Sequence, residues 1–138
     1  MIILDTNVVS ETMRAVPSPT VMAWLNDQHM ASLWLTTIIV AELRFGAVRL
    51  PSGKRRDTLL ERIEIATTGI FADRIAGFDL AAATAFADHA AAAELKGVRV
   101  EFADATIAAI ALAKGFSVAT RDTGPFQAMG VDTIDPWA

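Results

Sequence analysis

Hydrophobic and polar positions along this chain fall into blocks whose period switches between that of a strand and that of a helix. Residues 1 to 5, Met-Ile-Ile-Leu-Asp, are an uninterrupted apolar run ending on Asp5, as expected of a buried parallel strand. Thr6 to Met13 fits a short helix. Val16-Pro17-Ser18-Pro19 then breaks the chain and offers Ser18 as N-cap, with Pro19 at the first position of a helix reaching about Gln28. Ser32 to Thr36 reads as a second strand, and Thr36 or Thr37 caps a helix through Ile38, Glu42 and Phe45 to about Arg49, closed by Leu50-Pro51-Ser52-Gly53. Leu59, Leu60, Ile63 and Ile65 predict an amphipathic helix from Arg55 to Thr68, and Gly69 to Ile75 is expected to hold a short strand. Asp79 caps an Ala-rich helix from Leu80 to Lys96, which Gly97 ends. Phe102-Ala103-Asp104 opens a helix that stops at Lys114-Gly115; Phe116 to Thr120 reads as a strand, Arg121 to Pro125 as a turn and Val131 to Ile134 as a last short strand. Strands and helices alternate, which predicts a single α/β domain over residues 1–138 with a mostly parallel sheet flanked by helices.

That architecture turns positions into geometry. In an open parallel sheet the carboxyl ends of the strands form the natural site, and a helix that follows a strand begins at the same edge. Asp5 ends the first strand, Asp122 lies just past the strand at Phe116 to Thr120, and Asp104 stands at the start of the preceding crossover helix, so three acids converge. Glu42 is about one and a half turns into its helix, ~6 to 9 Å from that edge and within reach of the same cleft. It also shares a stripe with Ile38, Ile39, Phe45 and Gly46, the face expected to be buried, where a carboxylate needs a cation, an arginine or a watery cleft. Singly, three of the acids have ordinary structural explanations: Asp104 as an N-cap, Asp122 within the turn sequence Arg-Asp-Thr-Gly, and Asp5 as the cap of the helix at Thr6. Glu42 has none, and the functional reading rests on the joint placement of the four. Asp79 stays a cap. Four gathered carboxylates repel one another unless a divalent cation neutralises them, and hard Mg²⁺ or Mn²⁺ suits an all-oxygen site.

Composition narrows the chemistry. The chain has no Cys, which excludes disulfides and thiolate metal sites, and His29 and His89 are too far apart in sequence to suggest a local ligand pair. A net charge of −4 argues against coating nucleic acid by bulk electrostatics, so a nucleic-acid enzyme here needs a local basic patch. Lys54-Arg55-Arg56 is the candidate, helped by Arg44 and Arg49, although such a run also reads as a solvated helix start. The hydrophobic fraction of 53% suits one substantial core, while charges interrupt every apolar stretch before the ~18 to 20 residues a membrane-spanning helix needs. No export signal is read at the N-terminus, and the cytoplasm is the expected compartment.

Leu4-Asp5-Thr6-Asn7-Val8-Val9-Ser10-Glu11, Ala41-Glu42-Leu43-Arg44-Phe45-Gly46, Phe78-Asp79, Asp104-Ala105-Thr106-Ile107-Ala108-Ala109 and Thr120-Arg121-Asp122 together resemble the successive motifs of the PIN domain, over essentially the whole chain. Arg14, Pro17, Pro19, Trp24-Leu25 and Asp135-Pro136-Trp137 are similar to its VapC/FitB-like toxin branch. The resemblance implies a Mg²⁺- or Mn²⁺-dependent endoribonuclease acting on RNA, a homodimer, and inhibition by a cognate antitoxin whose tail lays an apolar helix in a groove and brings an arginine to the acids. By the same resemblance Asp5 and Asp104 are direct metal ligands and Glu42 and Asp122 complete the pocket through water. Thr6, Asn7 and Thr120 match polar positions near the metal. Lys54, Arg55, Arg56, Arg44 and Arg121 are candidates for holding RNA phosphates. The branch often has Asn at the position of Asp122, so the extra charge here leaves the number of metals open. Two other readings compete: a phosphohydrolase of the haloacid-dehalogenase type, whose Asp-x-Asp is broken by Asn7, and a non-catalytic module that binds a metal or a partner's arginine. A receiver domain needs an acceptor Asp after a middle strand and a later Lys at a strand end, and this chain has neither arrangement.

Overall fold

The computed structural model describes residues 1–138, and its centre is the first strand. β1 (Ile2–Leu4) pairs in parallel with β2 (Leu33–Thr36) on one side, Ile2 opposite Leu33, and with β4 (Ser117–Ala119) on the other, Ile2 opposite Ser117. β3 (Ile75–Ala76) extends the sheet beyond β2, and β5 (Thr133–Ile134) extends it beyond β4. The sheet is thus five parallel strands in the order β3-β2-β1-β4-β5. Chain order reverses between β1 and β4, and this is where a doubly wound sheet opens a crevice at its carboxyl edge.

Seven helices flank the sheet: α1 (Thr6–Thr12), α2 (Pro19–Asn26), α3 (Thr37–Val48), α4 (Lys54–Ile65), α5 (Leu80–Leu95), α6 (Phe102–Lys114) and α7 (Thr123–Ala128). Their starts follow the expected caps. Ser18 accepts from the Val21 N–H, Thr36 from Ile39 at 3.2 Å and Asp79 from Ala82 at 2.9 Å. Gly97 and Gly115 take left-handed φ values of 84° and 70° where α5 and α6 end, a conformation that costs a side-chain-bearing residue ~1 kcal/mol or more. Every residue of α6 from Ala105 to Ile110 is buried, so this helix is apolar all round and runs through the core beside Ile3, Leu35, Ile39, Val118 and Phe126. No helix is long and apolar enough to cross a membrane.

The structure corrects the sequence expectations at several points. Arg121 to Pro125 is not an open turn: α7 begins inside it at Thr123, because Gly124-Pro125 sits in a first helical turn, where proline's missing N–H costs nothing. The helix expected over 55–68 is α4 followed by a wide π turn at 66–70, closed by the Phe71 N–H on the Ala66 carbonyl at 2.8 Å. The buried stripe of α3 is Ile39, Leu43 and Ala47, not the one through Glu42: Glu42 is exposed and Phe45 is 65% exposed. The neighbouring stripe faces the sheet, one helical step round. Finally, the N-cap position of α6 is Glu101, and Asp104 is the third helical residue.

Because Thr36 is fully buried and caps the helix that carries Glu42, Thr36→Val should lower stability by about 1 kcal/mol with little change in shape. Urea unfolding of the two proteins measures this; equal midpoints would mean the cap contributes nothing.

Candidate active site

Asp5 is the first residue after β1, 6% exposed at the end of a wholly apolar strand, and its backbone N–H still reaches the Ala119 carbonyl of β4. Its carboxylate accepts from the Thr6 N–H at 2.8 Å, from the Thr120 hydroxyl at 2.8 Å and, more weakly, from the Asn7 amide at 3.4 Å. Thr120, buried one residue past β4, also accepts from Asn7 Nδ2 at 3.2 Å and from the Asp122 N–H at 3.1 Å. Asn7 Oδ1 in turn accepts from the Arg121 N–H. One hydroxyl therefore joins Asp5 just past β1, Asn7 on α1 and the backbone of Asp122 before α7. On the other side of α1, the Thr6 hydroxyl donates to Glu42 Oε1 at 2.8 Å, which ties α3 to the same edge.

The four acids named from the sequence stand around this edge and feel one another's charge. Burial raises the Asp5 carboxyl above its ordinary range against the pull of its hydrogen bonds, and Glu42 and Asp122 raise it further. Burial first, then Asp5, Glu42 and Asp122, push Asp104 up to about 6. No protein group donates a hydrogen bond to the Asp104 or Asp122 carboxylates, and Glu42 keeps one oxygen free. No three acidic or histidine side chains close into a ready-made ligand cage. This set fits a hard divalent cation of the Mg²⁺ type: its donors are all oxygen, its surplus negative charge is unneutralised, and such an ion usually takes one or two carboxylates and keeps waters for the rest.

The basic candidates separate. Lys54 and Arg55, at the start of α4, line a groove of about 1070 Å³ that also reaches Thr6 and Glu42. Arg44 pairs with Glu64 at 3.4 Å, half-buried Arg56 lies outside the groove lining, and the Arg121 guanidinium stacks 5.0 Å from the Trp137 ring. The sequence reading assigned no role to Glu11. It is 5% exposed, accepts from the Ser18 N–H at 2.9 Å and from Arg14 at 3.2 Å, and its carboxyl is held low by these donors. It thereby pins the α1–α2 turn. Arg62, also missed, lines the groove; with Arg55 and Leu59 it follows an i, i+4, i+7 spacing that sequence alone displays.

The family model of the PIN domain matches residues 2–131. The chain belongs to the PIN-domain family. It is 50% identical over 137 residues, 99% of each chain, to the plasmid stability protein StbB of Pseudomonas syringae pv. tomato. It is 48% identical over 137 residues to the VapC ribonuclease Y4jK of Sinorhizobium fredii, covering 99% of this chain and 98% of that one. The solved structure of FitAcB from Neisseria gonorrhoeae superposes with a TM-score of 0.94 at 42% identity, covering 99% of each chain, and the toxin FitB of that organism is likewise 42% identical. Within the PIN-domain family, then, this chain sits with the VapC and FitB proteins, and its parallel sheet flanked by helices is that of a PIN fold.

The raised Asp104 gives a signed pH dependence. A carboxyl whose folded pKa lies above its unfolded value favours the fold when protonated, a contribution present below pH ~4 and lost as pH rises through about 6. In EDTA, Asp104→Asn should therefore be more stable than the parent by ~1 to 3 kcal/mol at pH 8 and by much less at pH 4. Denaturant melts at the two pH values decide it, and a pH-independent difference would refute the electrostatic origin.

Proposed function

We propose that this protein is a Mg²⁺- or Mn²⁺-dependent endoribonuclease and the toxin of a toxin–antitoxin pair, acting on RNA in the cytoplasm and restrained by a cognate antitoxin. The observation that carries the reading is the convergence of Asp5, Glu42, Asp104 and Asp122 on one sheet edge with no internal cation to offset them. The 48% identity with a protein named a VapC ribonuclease supports the reaction, and the likeness to toxin FitB, solved as FitAcB, supports the pairing with a second protein. We further assign the protein as a homodimer, for which exposed Phe45 and Val48 on α3 offer apolar surface.

In this reading Asp5 and Asp104 hold the cation directly, while Glu42 and Asp122 reach it through water. A divalent cation held there would supply positive charge to offset what builds on the phosphate oxygens and would favour attack by water near neutral pH. The chain's own work is placement. Thr6, Asn7 and Thr120 fix the Asp5 carboxylate in one orientation, so its binding geometry is set before any ligand arrives. Thr6 also holds Glu42 by one oxygen and leaves the other to orient water, and Thr120 holds the backbone of Asp122. No cysteine exists to act as nucleophile, and the Thr6 and Thr120 hydroxyls are each engaged in holding a carboxylate of the site, so the reading assigns attack to water. The acids repel an RNA backbone until the cation is present, which ties substrate binding to metal binding.

The test is cleavage of a mixed RNA by purified protein, free of antitoxin, with Mg²⁺, Mn²⁺ or EDTA. Cleavage should need the metal and fall by about a hundredfold or more in Asp5→Asn and in Asp104→Asn, each confirmed folded. Absence of cleavage with either metal would instead favour the non-catalytic binding module.

A further inference from the structure

Asp135-Pro136-Trp137 stands at the carboxyl edge of the sheet and contributes no group to the acidic set. β5 ends at Ile134, whose carbonyl accepts from the Thr120 N–H at 2.9 Å, so the chain leaves the sheet beside the residue that holds Asp5. It then turns back. The Trp137 N–H donates to Asp135 Oδ1 at 2.9 Å, Pro136 between them is buried, and the proline ring fixes its own φ. The Trp137 side chain is half-buried against the core, so its position is set by the fold. Over it lies Arg121, with the guanidinium carbon 5.0 Å from the ring centroid.

Arg121 occupies the bend between Thr120 and Asp122. Its guanidinium makes no ion pair and no hydrogen bond, although Asp122 is its neighbour in sequence, and the Trp137 ring is its partner. Its charge also reaches Glu11, whose carboxyl is held low first of all by the Ser18 N–H. The backbone of Arg121 has a different task. Its N–H donates to Asn7 Oδ1 at 3.3 Å, and a carboxamide has one acceptor end and one donor end. Fixing Oδ1 on Arg121 turns Nδ2 toward Asp5 and Thr120, which it reaches at 3.4 and 3.2 Å. Turned the other way, Asn7 would set an oxygen against a buried carboxylate. Ring, guanidinium, backbone N–H, amide and carboxylate thus form one line of contacts from Trp137 to Asp5.

Resting on the reading that the acidic edge holds a divalent cation, we propose that Trp137 and Arg121 are positioning residues: the stacked ring anchors the bend at Arg121, and through it the Asn7 amide and the Thr120–Asp122 backbone, in the arrangement that orients Asp5 for the cation. Groups that orient a metal ligand from outside its coordination sphere tune the affinity of the site, because a ligand free to turn must be ordered when the metal binds. An anchor and a bare charge differ in sign at this position. By charge alone, a guanidinium near the acids opposes an incoming cation and its removal tightens binding; for an anchor, removal loosens it.

The experiment measures Mn²⁺ binding to the full chain, without RNA, by the paramagnetic resonance signal of the free ion, and, in EDTA, hydrogen exchange of the Arg121 and Asp122 backbone N–H groups by NMR. Trp137→Ala and Arg121→Met should each weaken Mn²⁺ binding about threefold to tenfold and speed exchange at both N–H groups. The two changes together should cost no more than either alone, and Trp137→Phe, which keeps a ring, should bind within about twofold of the parent. Lys114→Met, which removes a cation 5.6 Å from the Trp34 ring at the end of α6 away from the acids, should change neither quantity. Urea melts confirm that each variant is folded at the assay temperature. Unchanged exchange, additive losses, no rescue by Trp137→Phe, or tighter Mn²⁺ binding in Arg121→Met each overturns the proposal, the last returning Arg121 to the RNA phosphates. The two readings fail separately. A parent that takes up no Mn²⁺ sinks the cation reading while exchange still decides the anchor, whereas a parent that binds Mn²⁺ no better than its Trp137 and Arg121 variants sinks the anchor alone.

Discussion

The structure depends on keeping an ionisable carboxyl buried at the end of its central strand. Asp5 has almost no access to water, and an unpaired charge there would cost several kcal/mol. Three donors answer it, and they come from both ends of the chain: Thr6 and Asn7 from α1, and Thr120 from the end of β4. The hydrogen bond that solvates Asp5 is thus also the one that locks β4 against β1 at the point where the sheet reverses its order. Scaffold and site share one interaction.

Around that fixed point the remaining acids are arranged at the expense of stability. Asp104 is pushed up by burial and by four other carboxylates, Asp5, Glu42, Asp122 and Glu101, and nothing in the protein donates to it. A fold selected for stability alone would place asparagine or an apolar residue there; binding sites commonly trade stability for function in this way. The edge is consequently a set of like charges whose mutual repulsion a bound cation would relieve.

Much of this was legible in the sequence, for identifiable reasons. The apolar run ending in Asp5, the Ser18 and Asp79 caps and the glycines after α5 and α6 are local signals, and local energetics decides them. The four acids were visible because parallel-sheet topology sends strand ends and helix starts to one edge. The stripe of α3 was misread because its apolar residues cover more than one face: Phe45 looks like core by type, yet the sheet takes the face through Leu43. Helix α7 was missed because Gly124-Pro125 reads as a turn until tertiary contacts bury Phe126. The Thr120 hub depends on a partner 115 residues away, Asp5, and no local pattern encodes such a pairing, while Glu11 accepts from the backbone N–H of Ser18, a donor that every residue type but proline carries and that residue types therefore do not reveal.

The same separation bears on how the protein is made. β1 leaves the ribosome before its partner β4, and Asp5 leaves it 115 residues ahead of the hydroxyl that satisfies it. Long-range parallel pairing is slow to form, because loop closure must be complete before any contact rewards it. A nascent chain that has not yet delivered residues 117–122 lacks the strand that flanks Asp5, the donor that orients it and the fourth acid. Topology alone thus delays assembly of the acidic edge until residues 117–122 have been made, and a chain cut before them carries Asp5, Glu42 and Asp104 without the cleft that gathers them.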